Sequence, residues 1–259
     1  MAVDFASPGL SGIYGGRSTE DSWRVWCGEV LAPAGKDVAD IGCGGGIYAR
    51  GFASLGARSV VGIDRSPQYV GEAAAASAGI ADLRFLQGTA SATGLSDAST
   101  DLVFCRAVIH HLSASEQAAA AAEWLRVLRP GGVCAVQDRT FEDVTDPDPA
   151  YWIRSTLFEC FPRLLSVEQA RRPSAAAFRT VLERAGFAGV ETLRFPETRK
   201  AYSAFADLAA EIMQRKGKSI LFELSDTELA HYCDALAAKA GEPPLLEQDG
   251  WTVWLAPKA

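Results

Sequence analysis

The sequence has 259 residues, 48% of them hydrophobic and 22% charged, with a formal net charge of −7 at neutral pH. That length buries a substantial core, the composition excludes a disordered chain, and the acidic surplus argues against a nucleic-acid partner, because neutralising phosphates needs a basic face. Six cysteines without a C-x-x-C pair and only three histidines leave no zinc-ligand spacing, so no metal is expected. The first residues lack a basic-then-apolar leader, and no stretch approaches the roughly 20 apolar residues of a membrane span. The expectation is a cytoplasmic, reduced protein without a membrane partner.

Residues 1–17 are glycine-rich and irregular, and Ser18–Leu31 reads as a helix with Trp23, Trp26, Val30 and Leu31 towards one face. The spacing then predicts a strand over Asp37–Ile41, a turn through Gly42-Cys43-Gly44-Gly45-Gly46, and a helix opening at Ile47. Glycines there give backbone angles closed to residues with a Cβ and let a ligand approach the main chain. The N–H groups at the helix start are expected to meet a polar part of that ligand. A second buried strand, Ser59–Ile63, ends at Asp64, about 20 residues beyond the glycines, where nucleotide-binding α/β folds place an acid on the ribose hydroxyls. A carboxylate suits this because it offers two acceptor oxygens to adjacent donors. The ligand is therefore expected to carry an adenosine, either a nicotinamide dinucleotide or S-adenosylmethionine. In the dinucleotide fingerprint G-x-G-x-x-G the third glycine would fall at position 47, which is Ile47.

Further along, Ser66-Pro67 is a helix start with proline near the first helical position, and Val70–Ala78 continues that helix. Leu83–Gln87 is strand three, Leu102–Cys105 strand four, Ser115–Leu128 a helix and Val133–Gln137 strand five. Asp138 and Arg139 end strand five and are expected to face the ligand. Beyond them Tyr151–Leu165 reads as one or two helices, Ser174–Ala185 as a helix and Val190–Phe195 as a strand. Two amphipathic helices follow, Tyr202–Arg215 and Ser225–Ala240. A last antiparallel strand is formed by Leu245–Leu246 and Trp251–Leu255, bent near Asp249-Gly250. Arg171-Arg172 reads as a solvated pair.

The pattern Asp40-x-Gly42-x-Gly44-x-Gly46 resembles the first motif of the class I S-adenosylmethionine-dependent methyltransferases. The run Ser99–Leu112 resembles that family's fourth strand and following loop, and Glu123–Gly132 the helix and turn before its fifth strand. The subgroup is similar to the ubiquinone and menaquinone biosynthesis methyltransferases. The resemblance implies a Rossmann-like α/β fold: a seven-stranded, mostly parallel sheet with helices on both faces and helical insertions forming a lid. It implies a single domain over 1–259, with an N-terminal lid segment at 1–31 and acceptor-site insertions at 141–172 and 198–243.

It also implies an enzyme that passes a methyl group from S-adenosylmethionine to O, N or C of a small biosynthetic acceptor, leaving S-adenosylhomocysteine. For the donor, Asp40 is expected to orient the loop and the methionine ammonium, and Gly42, Gly44 and Gly46 to let the backbone approach. Asp64 takes the ribose, Arg65 sits near the adenine, Thr89 and Ala90 meet the adenine edge, and the Arg106 backbone touches the methionyl part. Tyr14 and Arg17 belong to a segment that often folds over the cofactor. The family commonly has an aspartate where Thr89 stands, so adenine recognition departs from the pattern. His111, His110 and Asp138 are the candidate bases, since histidine titrates near neutral pH and all three fall near the expected methyl position. The rival readings are a non-catalytic S-adenosylmethionine-binding regulatory protein and a nicotinamide-dependent oxidoreductase. The sequence sets no oligomeric state.

Overall fold

A computed structural model describes residues 21–259. Tyr14, Arg17 and most of the expected N-terminal lid segment lie outside the described residues.

Seven strands form one sheet in the order β3-β2-β1-β4-β5-β7-β6: β1 Asp37–Ile41, β2 Ser59–Asp64, β3 Leu83–Gln87, β4 Thr100–Arg106, β5 Leu128–Asp138, β6 Glu191–Tyr202 and β7 Leu245–Pro257. The first five run parallel, and β7 is antiparallel to both β5 and β6. Parallel strands are buried on both faces, and the side chains of β4 show how. Leu102 and Phe104 join one hydrophobic core with Val38 and Val60, while Val103 and Cys105 join the other with Ala39 and Ile41. The alternation is the two-residue period of a strand.

Helices cover the two faces. On one, α1 (Asp21–Trp26), extended by a wider turn over Cys27–Leu31, packs beside α2 (Ile47–Ser54). Trp23 is fully buried edge-on against Phe52 and Phe104, with ring centroids 5.3 and 5.8 Å away. The buried stripe is Trp23, Cys27 and Leu31, a four-residue spacing, and the expected Val30 is 40% exposed. α3 (Pro67–Ala76) starts where the Ser66 hydroxyl accepts from the Tyr69 N–H, with Pro67 in the first turn. On the opposite face, α4 (Ala114–Val127) opens with a Ser113–Glu116 capping box and packs with α8 (Ala175–Ala185) through Trp124, Phe178 and Leu182.

The remaining helices are α5 (Phe141–Val144), α6 (Trp152–Cys160), α7 (Leu164–Arg171), α9 (Phe205–Met213) and α10 (Asp226–Lys239). These fall in the two segments a minimal sheet does not need, and helices α6, α7, α9 and α10 share a core of their own. Leu157, Phe158 and Leu164 of the first segment meet Leu208, Ile220, Leu221 and Tyr232 of the second.

Strands β6 and β7 are longer than the sequence predicts. β5 pairs β7 only over Thr252–Pro257, whereas β6 pairs it all the way back to Leu245. The two strands therefore run on as an antiparallel ribbon past the end of β5, so Thr198–Tyr202 is strand and the following helix begins only at Phe205. The expected bend at Asp249-Gly250 is absent; the register slips instead between Thr198 and Lys200 on β6. Among the described residues no helix is long and apolar enough to cross a membrane.

Candidate active site

A cavity of about 630 Å³ opens at the carboxyl ends of the strands, where open α/β sheets bind ligands. Its floor is the β1–α2 loop, the end of β2 and the segments after β3 and β4. Its roof comes from both inserted segments, through Arg154, Glu168 and Arg172 of the first and Arg199, Glu211 and Lys218 of the second.

The glycine loop is built by its own hydrogen bonds. Gly42 and Cys43 donate their N–H groups to the Ile63 carbonyl at 2.7 and 3.0 Å, Gly46 donates to the Cys43 carbonyl at 2.9 Å, and Gly44 donates to Asp64 Oδ2 at 2.9 Å. These four N–H groups hold the loop itself, so the N–H groups expected to meet a ligand are those of the first turn of α2, from Ile47 onward. The glycines also divide their roles. A Cβ on Gly44 would meet nothing within 4 Å, so its bare backbone faces open cavity. A Cβ on Gly46, at φ +76°, would stand 2.8 Å from the Phe85 ring and 3.1 Å from Ala73. Gly46 does not line the cavity; it lets α2 pack against β3 and α3. Gly42 is likewise pressed against Val108, although it also lines the cavity.

Asp40 is 2% exposed, accepts the Ala49 N–H, and has no partner for Oδ2 among the described residues. Burial pushes its pKa up to about 7; the Ala49 N–H opposes this, the Asp64 charge adds to it, and Arg106 opposes it. An orphaned buried carboxyl oxygen on a residue that lines a cavity fits a cationic group such as an ammonium. Asp64 accepts from the Ser66 N–H at 2.9 Å as well as from Gly44. Burial pushes its pKa upward, against the Ser66, Gly44 and Arg65 N–H groups and the Arg65 charge, and a carboxylate so held keeps acceptor capacity for one further donor or more. Arg65, Thr89 and Ala90 line the same end; the Thr89 main chain is tied to Ala92 by a pair of hydrogen bonds at 3.0 and 3.2 Å. The residues present fit S-adenosylmethionine: an acid for the ammonium, an open glycine for close approach, and an acid on the second strand for the ribose.

His110 and His111 line the cavity, with ring centroids 4.0 Å apart. His110 is 7% exposed and its Nδ1 lies 2.8 Å from Asp138 Oδ1 and 2.9 Å from Oδ2. Burial pushes the imidazole pKa down, against the pull of Asp138. Burial also acts to raise the Asp138 carboxyl, but His110, Arg172 and the Arg139 N–H outweigh it and hold the group well below the carboxylate range. An ionised carboxylate on a neutral imidazole requires Nδ1 to carry the proton, which leaves Nε2 as the basic nitrogen. Asp138 itself is fully buried and does not line the cavity, so the expectation that it faces a ligand fails: it stands behind His110 and orients it. His111 is exposed by surface area yet enclosed by the crevice, and its pKa falls through lost hydration and the adjoining His110 ring.

A role for Arg106 is expected from the sequence through its backbone, but its side chain is held in the wall as well. Its guanidinium lies over Tyr48 and Trp251, 4.5 and 4.0 Å from their ring centroids, and pairs with Glu197 at 2.5 Å. Arg172 is no solvated residue: it is 7% exposed and pairs with Glu168 and Asp138. Glu197, Arg199, Glu247 and Asp249 were not foreseen at all. Their signal was the strand alternation itself, since Leu245, Glu247 and Asp249 share one buried face. Among the described residues no cluster of three or more His, Cys, Asp or Glu side chains could hold a metal ion.

Residues 39–136 match the family model described as a methyltransferase domain. Residues 39–136 are a methyltransferase domain, and in sheet order and glycine–Asp64 geometry the chain is similar to the class I S-adenosylmethionine-dependent methyltransferases. Similar curated proteins include a probable S-adenosylmethionine-dependent methyltransferase of Mycolicibacterium smegmatis, 35% identical over 160 residues, covering 62% of this chain and 55% of that protein. A ubiquinone biosynthesis O-methyltransferase of Paraburkholderia xenovorans is 39% identical over 109 residues, covering 38% of this chain and 42% of its own. The chain spans between 39% and 67% of the length of the first curated relatives it matches. Among solved structures, an Anabaena variabilis protein assigned to methyltransferases of an antibiotic biosynthesis pathway superposes with a TM-score of 0.72 at 20% identity, covering 93% of this chain and 98% of that one. The methyltransferase domain thus accounts for the floor of the cavity, and the roof comes from residues outside 39–136.

Proposed function

We propose that the chain transfers a methyl group from S-adenosylmethionine to a small-molecule acceptor held beneath the two inserted segments, at an atom deprotonated by His110. The observation that carries this reading is one cavity lined by the glycine loop, by Asp64, by His110 with Asp138 behind it, and by residues of both inserted segments. S-adenosylmethionine, when bound, supplies an already activated methyl on a sulfonium. The chain's task is then to hold two reactants in line and keep water out. Asp40 and Asp64 fix the donor, and the roof encloses the acceptor. His110 takes a proton at Nε2 while Asp138 stabilises the imidazolium that results. The six free cysteines, four of them buried, suit the reducing cytoplasm.

His110→Ala is expected to lower kcat by about a hundredfold or more, with S-adenosylhomocysteine affinity unchanged in calorimetry. An unchanged kcat would remove His110 as the base.

A further inference from the structure

The antiparallel ribbon of β6 and β7, the end of β5, helix α6 and the segment after α9 bring four cations around two carboxylates. Arg139 Nη2 lies 2.7 Å from Asp249 Oδ2, and Arg154 Nη2 lies 2.6 Å from Asp249 Oδ1. Arg199 Nη1 is 2.9 Å from Glu247 Oε1 and 3.4 Å from Asp249 Oδ2, and Lys218 Nζ is 2.7 Å from Glu247 Oε1. The Tyr202 hydroxyl donates to the other Glu247 oxygen at 2.9 Å. All four cations line the cavity, whereas Asp249 and Glu247 stand behind them and do not.

The neighbouring charges balance among themselves. Arg106 is paired with Glu197, Lys200 with Glu211, and Arg171 and Arg172 with Glu168 and Asp138. Among the described residues, the wall thus carries an excess of two positive charges, and the cations concerned are about nine-tenths buried. Two buried guanidinium nitrogens close by, Arg139 Nε and Arg106 Nη1, have no hydrogen-bond partner among the described residues. Both arginines lie over the Trp251 indole, at 3.7 and 4.0 Å from its centroid.

Uncompensated buried charge is costly. Burial pushes Arg139 down to about 9, Asp249 opposing, with Arg154, Arg199 and Arg172 adding to the fall. Burial likewise pushes Lys218 down, against the pull of Glu247. A network serving stability alone would close its charges and its donors. This one leaves both open, on residues that line the cavity.

We propose that this wall is the anion-binding end of the acceptor subsite, so that the molecule to be methylated carries a carboxylate or phosphate group held by Arg139, Arg199 and Lys218. Arginine and lysine are the side chains that recognise such oxyanions, arginine through its planar fork. Arg139 follows directly on Asp138, whose carboxylate holds His110, so the anchor and the base belong to one stretch of wall. The inference rests on the reading of the cavity as a methyl-transfer site and adds the charge of its acceptor.

The test is a ligand-observed NMR titration of the chain saturated with S-adenosylhomocysteine, using benzoate, inorganic phosphate and the neutral benzamide. One of the two anions is expected to bind saturably and benzamide at least about tenfold more weakly; preference for benzoate or phosphate identifies which oxyanion the wall takes. Lys218→Met leaves Glu247 with Arg199 and Tyr202, and Arg139→Gln leaves Asp249 with Arg154 and Arg199, so neither strands a buried carboxylate. Each is expected to weaken the anion about tenfold or more with S-adenosylhomocysteine affinity unchanged. Equal binding of benzamide, no binding of either anion to the S-adenosylhomocysteine complex, or full anion affinity in both variants would overturn the proposal while leaving the donor site standing. Failure to bind S-adenosylhomocysteine would overturn the donor reading, and this one with it.

Discussion

Asp40 shows how a single buried group ties pH to donor binding. Its pKa is raised to about 7, chiefly by burial, above that of the unfolded carboxyl. The group therefore contributes stability that is present below the unfolded pKa and lost as pH rises through about 7. A cationic ligand reverses the balance, because it favours the ionised form and must displace a proton at lower pH. Calorimetry of S-adenosylmethionine binding is expected to show affinity falling roughly tenfold between pH 8 and pH 6, with proton release at the acidic end and neither effect in Asp40→Asn. Affinity independent of pH would mean that Asp40 does not meet the cationic part of the donor. That Asp40, Asp64, His110 and His111 would line one cavity was legible in the sequence, because each sits at a strand end or just after one. The division of labour between His110 and Asp138 was not, since it depends on which of them reaches the cavity.

At the scale of elements, the loop between β1 and α2 owes its glycines to three different neighbours. Gly44 leaves space for a ligand, Gly42 yields to Val108, and Gly46 yields to Phe85 and Ala73. Gly46→Ala is therefore expected to destabilise the fold by about 2–4 kcal/mol, through positive-φ strain and overpacking, as read by chemical denaturation; stability within experimental error of the parent would refute the packing role. The motif's spacing predicted the loop, but a spacing cannot say which glycine faces a ligand. The β6–β7 ribbon was hidden for a related reason. Glu197, Arg199, Glu247 and Asp249 alternate like the polar face of an exposed strand, and only the roof above them turns that face inward.

Across the whole molecule, the parallel half of the sheet was readable because buried strands are short apolar runs broken by turns, from Val38 to Val136. The roof was readable only as helices: its core joins Leu157 and Phe158 to Leu208 and Tyr232, contacts between residues distant in the chain. The account as a whole depends on the floor of the cavity being an adenosyl site. That is tested most directly by titrating S-adenosylhomocysteine into the wild-type chain and into Asp64→Ala, where both the ribose contact and the Gly44 clamp are lost, with NADH as the competing ligand. One saturable site per wild-type chain, weakened by about tenfold or more in Asp64→Ala and indifferent to NADH, is the expected result. No saturable binding, equal affinity in the variant, or displacement by NADH would contradict it.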